Sequence, residues 1–324
     1  MAHTMPRALR EALTSCRRVL LTGPVDPDGD SLGACFALQA LLEADGVDVV
    51  VTGHPSARYT FLPGVARLAP DDALDGAWDA VVVLDGDRHR LTPGVAAAFE
   101  RARLRCIIDH HASTTADGYD IVWVDHTAPS TCEMIYRWLV EQGAPVTRDI
   151  ATNLYAGIVF DTGGFRYSNT QPSTLRLAAT LLEAGIDHHE VSLRILIERS
   201  RRGIAVAGSV FSGVTYALDG ALAIGRVTQA MHAEIGIRSG DLEGIVDALV
   251  HTEGVLVGAV LNDAGGGRVK VSLRSRGAVD VAAVAQALSA KGGGHRKAAG
   301  ALVMSPIEDV ERRIVETVGP LLGR

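Results

Sequence analysis

The chain contains only four cysteines, Cys16, Cys35, Cys106 and Cys132, and no two of them form a C-x-x-C pair. Widely spaced and set in apolar surroundings, they argue against a disulfide framework or a thiolate zinc site and read as reduced core residues. Long apolar runs are also missing: none approaches the roughly 20 residues that cross a bilayer, so no membrane partner is expected. The opening stretch, MAHTMPRALREAL, has no continuous apolar signal segment and reads as a polar lead into an amphipathic helix, which makes a cytoplasmic location the expectation. Basic charge is in short supply, with a formal net charge of −7. That balance argues against a sequence-independent grip on long duplex nucleic acid, which needs a basic face. It does not exclude small phosphorylated ligands, because bound divalent ions would offset the negative charge locally. There is no internal repeat and no low-complexity segment.

At 324 residues, with 47% hydrophobic and 21% charged residues, the chain suits a globular protein of two domains. Up to about residue 185, β-branched runs alternate with Ala/Leu-rich amphipathic runs, the pattern of an α/β parallel sheet with helices on both faces. Strands are expected at 19–22, 47–52, 80–85, 105–109, 121–124 and in part of 154–161. Helices are expected at 32–44, 95–102, 130–142 and 173–184, with Ser31, Ser130 and Ser173 as caps. Residues 189–213 read as a helical linker carrying the basic run Glu198-Arg199-Ser200-Arg201-Arg202. Beyond it the texture becomes α+β, with β-like runs at 221–227, 254–262 and 269–275 and a helix near 281–290. The resulting boundaries are 1–188, 189–213 and 214–324. Gly265-Gly266-Gly267 reads as a hairpin turn, while Gly292-Gly293-Gly294 leads directly into His295.

Four acidic motifs carry the chemistry, each following an apolar strand-like run: Asp28-Gly29-Asp30, Asp85-Gly86-Asp87, Asp109-His110-His111, and Asp161. Strands of an open parallel sheet deliver their carboxyl ends to one crevice. So many acids at one edge repel one another unless cations neutralise them, which points to divalent metal ions. Singly, each motif has a plainer reading: an Asx turn with a helix cap for the first, a turn carrying Asp for the last. Arg90, one turn after Asp85, is either a phosphate contact or a partner for a surface acid. It is their joint occurrence at the ends of one sheet's strands that makes a metal site.

The order DGD, DGD, DHH and DTG, followed by GGGHRKAAG at 292–300, resembles the DHH/DHHA1 phosphoesterases, in particular their nano-RNase and 3′-phosphoadenosine-5′-phosphate phosphatase branch, over essentially the whole chain. The resemblance implies a parallel-sheet DHH domain and a smaller α+β DHHA1 domain across a cleft. It also implies a site for two divalent ions, usually manganese. Asp28 would serve the first ion, Asp30, His110 and Asp161 the second, and Asp85 would bridge them. His111 would face the scissile phosphate. Gly293, Gly294, His295 and Arg274 would hold the far end of the substrate. Short RNA or small phosphorylated nucleotides are the implied substrates, and a homodimer the implied assembly. Cyclic or linear dinucleotide hydrolysis is the enzymatic alternative. The family's first motif begins with a histidine four residues before the first aspartate, and here that position is Pro24. The first ion is therefore expected to bind more weakly, to use extra waters, or to draw on Asp26 or Asp87. The same departure motivates a reading of another class, a nucleotide-binding protein with impaired catalysis.

Overall fold

The computed structural model describes residues 7–238 and 240–324. The expected polar lead at residues 1–6 lies outside the described residues; the amphipathic helix that follows it, α1 (Arg7–Thr14), is present and buries Leu9 and Leu13. The chain forms two compact units, Met1–Glu198 and Arg199–Arg324.

In chain order, the first unit continues with β1 (Arg18–Thr22), α2 (Gly29–Ala44), β2 (Asp48–Thr52), β3 (Ala80–Leu84), α3 (Pro93–Arg101), β4 (Leu104–Asp109), β5 (Ile121–Val124), α4 (Thr131–Glu141), α5 (Arg148–Asp161), α6 (Pro172–Glu183) and α7 (His188–Ser192). Its five strands are all parallel, in the order β2-β1-β3-β4-β5. The central strands are covered on both faces, which is why β3, AVVVL, is apolar and buried at every position rather than alternating. Strand order reverses at β1, so the crevice beyond β1 and β3 is the switch point where open sheets of this kind bind ligands.

Ser173 is no cap: α6 starts from Gln171 and Ser173 lies within its first turn. Two further expectations about elements are corrected. Residues 154–161 hold no strand: they belong to α5, which Thr147 caps by accepting from the Ile150 N–H at 3.3 Å. The run reads as β because α5 is buried on nearly every side, so no polar stripe reveals a helical period. Nor is 189–213 one helix. After α7 a π-helical turn covers Leu193–Ile197, Glu198 is extended, and a new helix, α8 (Arg201–Ser212), starts from a Ser200 cap inside the second unit.

The second unit continues with β6 (Thr215–Ala217), β7 (Leu222–Val227), α9 (Gln229–Ile235), α10 (Ile245–Val250), β8 (Val257–Asp263), β9 (Arg268–Ser275), α11 (Val281–Leu288), β10 (Gly293–His295), β11 (Ala298–Met304) and α12 (Ile307–Leu321). Its sheet, ordered β10-β11-β9-β8-β7-β6, is mixed: β7 and β8 are parallel and the other pairs antiparallel. One apolar layer contains Leu261, Leu273, Leu288 and Ile314, and another contains Val206, Val210, Val227 and Leu249. Gly265, Gly266 and Gly267 all have left-handed φ, between 62° and 77°, and turn β8 into β9 as expected. All four cysteines are buried and unpaired. No described helix is long and apolar enough to cross a membrane.

Candidate metal centre

Three of the acidic motifs leave the first sheet at one edge. Thr22 lies beside Val83, and Leu84 beside Ile108, so the residues after β1, β3 and β4 emerge together. Asp28, rather than Ser31, caps α2: its Oδ1 accepts from the backbone N–H groups of Asp30 and Ser31, both at 3.0 Å. The cap turns Asp30 inward, where it is fully buried. There the start of α4 receives it, with the Thr131 N–H donating to Oδ2 at 2.6 Å and the Cys132 N–H to Oδ1 at 2.9 Å. A helix N-terminus is favourable for an anion because its N–H groups lack intrahelical partners.

Glycine sets the distance between α2 and α5. A Cβ on Gly33 would lie 2.3 Å from the Asn153 carbonyl oxygen, and one on Gly157 would lie 2.6 Å from Asp30 Oδ1. Gly157→Ala is therefore expected to cost about 1–3 kcal/mol through overpacking and to displace Asp30. Denaturant melts and Mn²⁺ titrations should both register a loss; unchanged affinity would mean that this helix crossing does not set the site.

Asp85 adopts a left-handed backbone, φ 59°, directly after β3, a conformation that aspartate and asparagine tolerate better than most residues. Its side chain is buried. Oδ1 accepts from Thr131 Oγ1 at 3.2 Å and lies 3.3 Å from His110 Nε2 and 3.7 Å from His111 Nδ1. His110 Nε2 is also 2.9 Å from Asp161 Oδ2 and 3.9 Å from Asp30 Oδ2. Its Nδ1 stands 3.2 Å from the Ala128 carbonyl. A carbonyl only accepts, so Nδ1 carries a hydrogen and Nε2 is the atom turned to the acids. Asp161 comes from the last residue of α5, not from a strand end.

The charges oppose one another. Burial, then the negative charges of Asp85 and Asp161, raises the Asp28 and Asp30 carboxyls well above the usual range. Asp161 is raised by burial in spite of His110. Burial would also raise Asp85, but the imidazoles of His110 and His111 hold it below the usual range. Burial works against protonation of His110, yet Asp161 and Asp85 outweigh it and push the imidazole upward.

Asp109, quoted in its motif but given no role from sequence, orders the next residue. Its Oδ1 accepts from the backbone N–H of His110 at 2.8 Å and sits 2.7 Å from His111 Nδ1, while Thr114 Oγ1 donates to its other oxygen. That fixes the His111 ring with Nδ1 inward and Nε2 on the opposite edge.

A buried network braces the turn before α4. Arg137 donates to Asp125 Oδ2 at 2.7 Å and Glu133 Oε1 at 2.8 Å, Thr127 Oγ1 donates to Asp125 at 2.6 Å, and Thr174 Oγ1 donates to Glu133 at 2.8 Å. This turn carries the Ala128 carbonyl and the Thr131 and Cys132 N–H groups. Burial would raise the Asp125 carboxyl, but Thr127 and Arg137 bring it below the usual range. A carboxyl depressed in the folded state contributes stability above its unfolded value of about 3.9 and loses it as pH falls through the folded value. Arg137→Met should therefore cost about 3 kcal/mol near neutrality, with the deficit shrinking below about pH 4. Melting temperatures of both proteins across pH 3–8 test this, and a deficit independent of pH would refute it.

Arg90 is exposed, and its carbonyl accepts from the Val25 N–H at 2.7 Å, tying the loop after β3 to the loop after β1. In the second unit, His295 pairs with Ala298, and Ala298 pairs on its other side with Arg274. Directly opposed residues share a sheet face, so His295 and Arg274 project together across a small alanine. Arg274 Nε donates to Asp247 Oδ1 at 3.0 Å. Gly293 lies in β10, and Gly294, at φ 136°, brings the backbone so near β11 that a Cβ would meet the Ala298 carbonyl oxygen at 2.5 Å.

Comparison with known proteins matches residues 18–158 to the model of the DHH family, N-terminal domain, and residues 222–321 to that of the DHHA1 domain. The chain is 32% identical, over 93% of its length and 89% of the relative's, to the bifunctional oligoribonuclease and PAP phosphatase NrnA of Thermus thermophilus. It is 26% identical to the protein of the same name from Bacillus subtilis, over 89% of this chain and 90% of that one. The chain belongs to the DHH family. The solved structure of an exopolyphosphatase-related protein from Bacteroides fragilis shares the fold, with a TM-score of 0.87 at 22% identity, covering 98% of this chain and 97% of that one.

In the DHH domain the donors of Asp30, Asp85, His110 and Asp161 all lie within 4.8 Å of one another. Three carboxylates and one imidazole, with its second nitrogen tied to a carbonyl, form a donor set that fits a divalent cation. The second position implied by the DHH resemblance fits less well. Asp28 joins no such group among the described residues, and neither do Asp26 and Asp87.

Proposed function

We propose that the chain is a metal-dependent phosphohydrolase that cleaves short oligoribonucleotides and removes phosphate from 3′-phosphoadenosine 5′-phosphate. The observation that carries this reading is the convergence of Asp30, Asp85, His110 and Asp161 on one point of the switch-point crevice, in a chain similar over nearly its whole length to proteins named for these two activities.

Asp30, Asp85, His110 and Asp161 would hold the cation, and the mixed carboxylate and imidazole donors suit manganese. When bound, a divalent ion polarises the phosphoryl oxygen and lowers the pKa of a bound water. The start of α4 orients Asp30, and the Ala128 carbonyl keeps the His110 tautomer that offers Nε2. His111, its Nδ1 held by Asp109, turns Nε2 to the phosphate as proton donor and charge stabiliser. Arg90 is the phosphate contact from the same sheet edge. In the second unit, Gly293 and Gly294 admit a nucleotide close to the backbone while His295 and Arg274 bind its far phosphate or base. The net charge of −7 agrees with small substrates rather than long duplexes.

A panel of ribonucleotides one to five residues long, 3′-phosphoadenosine 5′-phosphate, cyclic dinucleotides and pyrophosphate, each incubated with protein and Mn²⁺, tests this reading. Turnover should be greatest for the shortest RNAs and the bisphosphate. Tight binding of all of them with no turnover would instead make the chain a nucleotide-binding protein.

A further inference from the structure

The carboxylates at this site are unevenly shared. Asp30, Asp85, His110 and Asp161 supply a complete mixed donor set around one point. Asp28 stands apart, with Oδ1 taken up by the two N–H groups of the α2 cap. The loop that carries it is tied to the loop after Asp85, the Val25 N–H donating to the Arg90 carbonyl at 2.7 Å.

Nothing in the neighbouring loops completes a second set around Asp28. Pro24 is buried, and its ring lies against Gly86, the residue after Asp85: a Cβ there would be 3.2 Å from Pro24 Cδ. A pyrrolidine ring has no lone pair to give. Asp87 caps the turn at Arg88–Arg90, accepting from the His89 N–H at 2.9 Å. Asp26 is exposed and joins no donor group among the described residues. Asp109 and His111 also group with Asp85, but Asp109 is taken up by the His110 N–H, His111 Nδ1 and Thr114 Oγ1; among the described residues the oxygens of Asp28 and Asp85 are what remain for a second cation.

Position and chemistry then differ between the two. A site with an imidazole favours a transition metal. Two carboxylates suit a hard cation that keeps its waters and takes its remaining ligands from a substrate phosphate, as Mg²⁺ does. We infer that the centre holds two cations in different ways: a resident transition-metal ion on Asp30, Asp85, His110 and Asp161, and an all-oxygen position on Asp28 and Asp85 that fills with Mg²⁺ only when a phosphorylated nucleotide brings the missing ligands. This rests on the phosphohydrolase reading, and it makes the second cation part of substrate binding. The resident ion sets whether the centre is loaded; free Mg²⁺ sets how well it holds nucleotide.

The test is metal content and magnetic state. Protein loaded with excess Mn²⁺ and desalted should retain about one Mn per chain, with an electron paramagnetic resonance spectrum of isolated ions. Calorimetry on that protein should show Mg²⁺ binding at least about tenfold tighter with a non-hydrolysable dinucleotide analogue present than without it, by linkage. Asp28→Asn should keep the retained Mn and lose the analogue-dependent Mg²⁺ binding. Pro24→His should retain about two Mn per chain, with spin coupling between them. Two Mn retained by the unaltered protein, or Mg²⁺ affinity indifferent to the analogue, would overturn the inference while leaving the phosphohydrolase reading standing. No retained Mn in any variant would overturn the inference, and the phosphohydrolase reading falls with it if added Mn²⁺ also fails to support turnover.

Discussion

Asp85→Asn should lower kcat on a dinucleotide by about 10³-fold or more, because loss of an outer partner of a metal ligand alone typically costs 10–100-fold. Asp85 lies against both imidazoles and the start of α4: His110 at 3.3 Å, His111 at 3.7 Å and Thr131 at 3.2 Å. Asparagine keeps the shape and accepts the left-handed backbone at φ 59°, but its amide carries no charge to share with a cation. Activity within tenfold of the unaltered protein, at saturating Mn²⁺, would show that the convergence on Asp85 is not the reacting centre.

His111→Ala comes next in size. Removing a positioned proton donor costs about 10²–10⁴-fold, and the loss should appear in kcat with the retained Mn content unchanged, since His111 is not among the four donors proposed for the resident ion. That split separates it from Asp85→Asn, in which metal content falls as well. Asp109→Asn tests the link behind it. Asp109 fixes the ring through Nδ1 at 2.7 Å, so its loss should cost about 10–100-fold and leave metal content intact. If His111→Ala sheds the metal, the ring is a ligand rather than the group that meets the phosphate.

Much of this was readable from sequence because strand ends of a parallel sheet announce themselves. The runs before Asp85 and Asp109 are apolar, β-branched and buried in β3 and β4. Asp161 was found for a partly wrong reason. Ile158-Val159-Phe160 has the composition of a strand, but it is the last turn of a helix buried on nearly all sides, and a short apolar run cannot reveal its period. The cap of α2 was read one turn late, at Ser31, although the plainer reading of Asp28-Gly29-Asp30 was an Asx turn with a helix cap, and Asp28 Oδ1 does start the helix. The supporting groups left the weakest trace. The Ala128 carbonyl and the Thr131 and Cys132 N–H groups are backbone atoms, which no residue type encodes, although Ser130 as a cap did mark where α4 begins. The closeness of α2 and α5 rests on Gly33 and Gly157, and a glycine within a helix shows its purpose only once the opposing backbone is seen.

The most direct measurement is hydrolysis of a ribodinucleotide by protein stripped of metal with a chelator, before and after Mn²⁺ is returned. Turnover should be absent in the stripped protein, return with added Mn²⁺, and fail to return in Asp85→Asn. Equal turnover with and without the chelator, or recovery in Asp85→Asn matching the unaltered protein, would contradict a cation held by Asp30, Asp85, His110 and Asp161 as the basis of the activity.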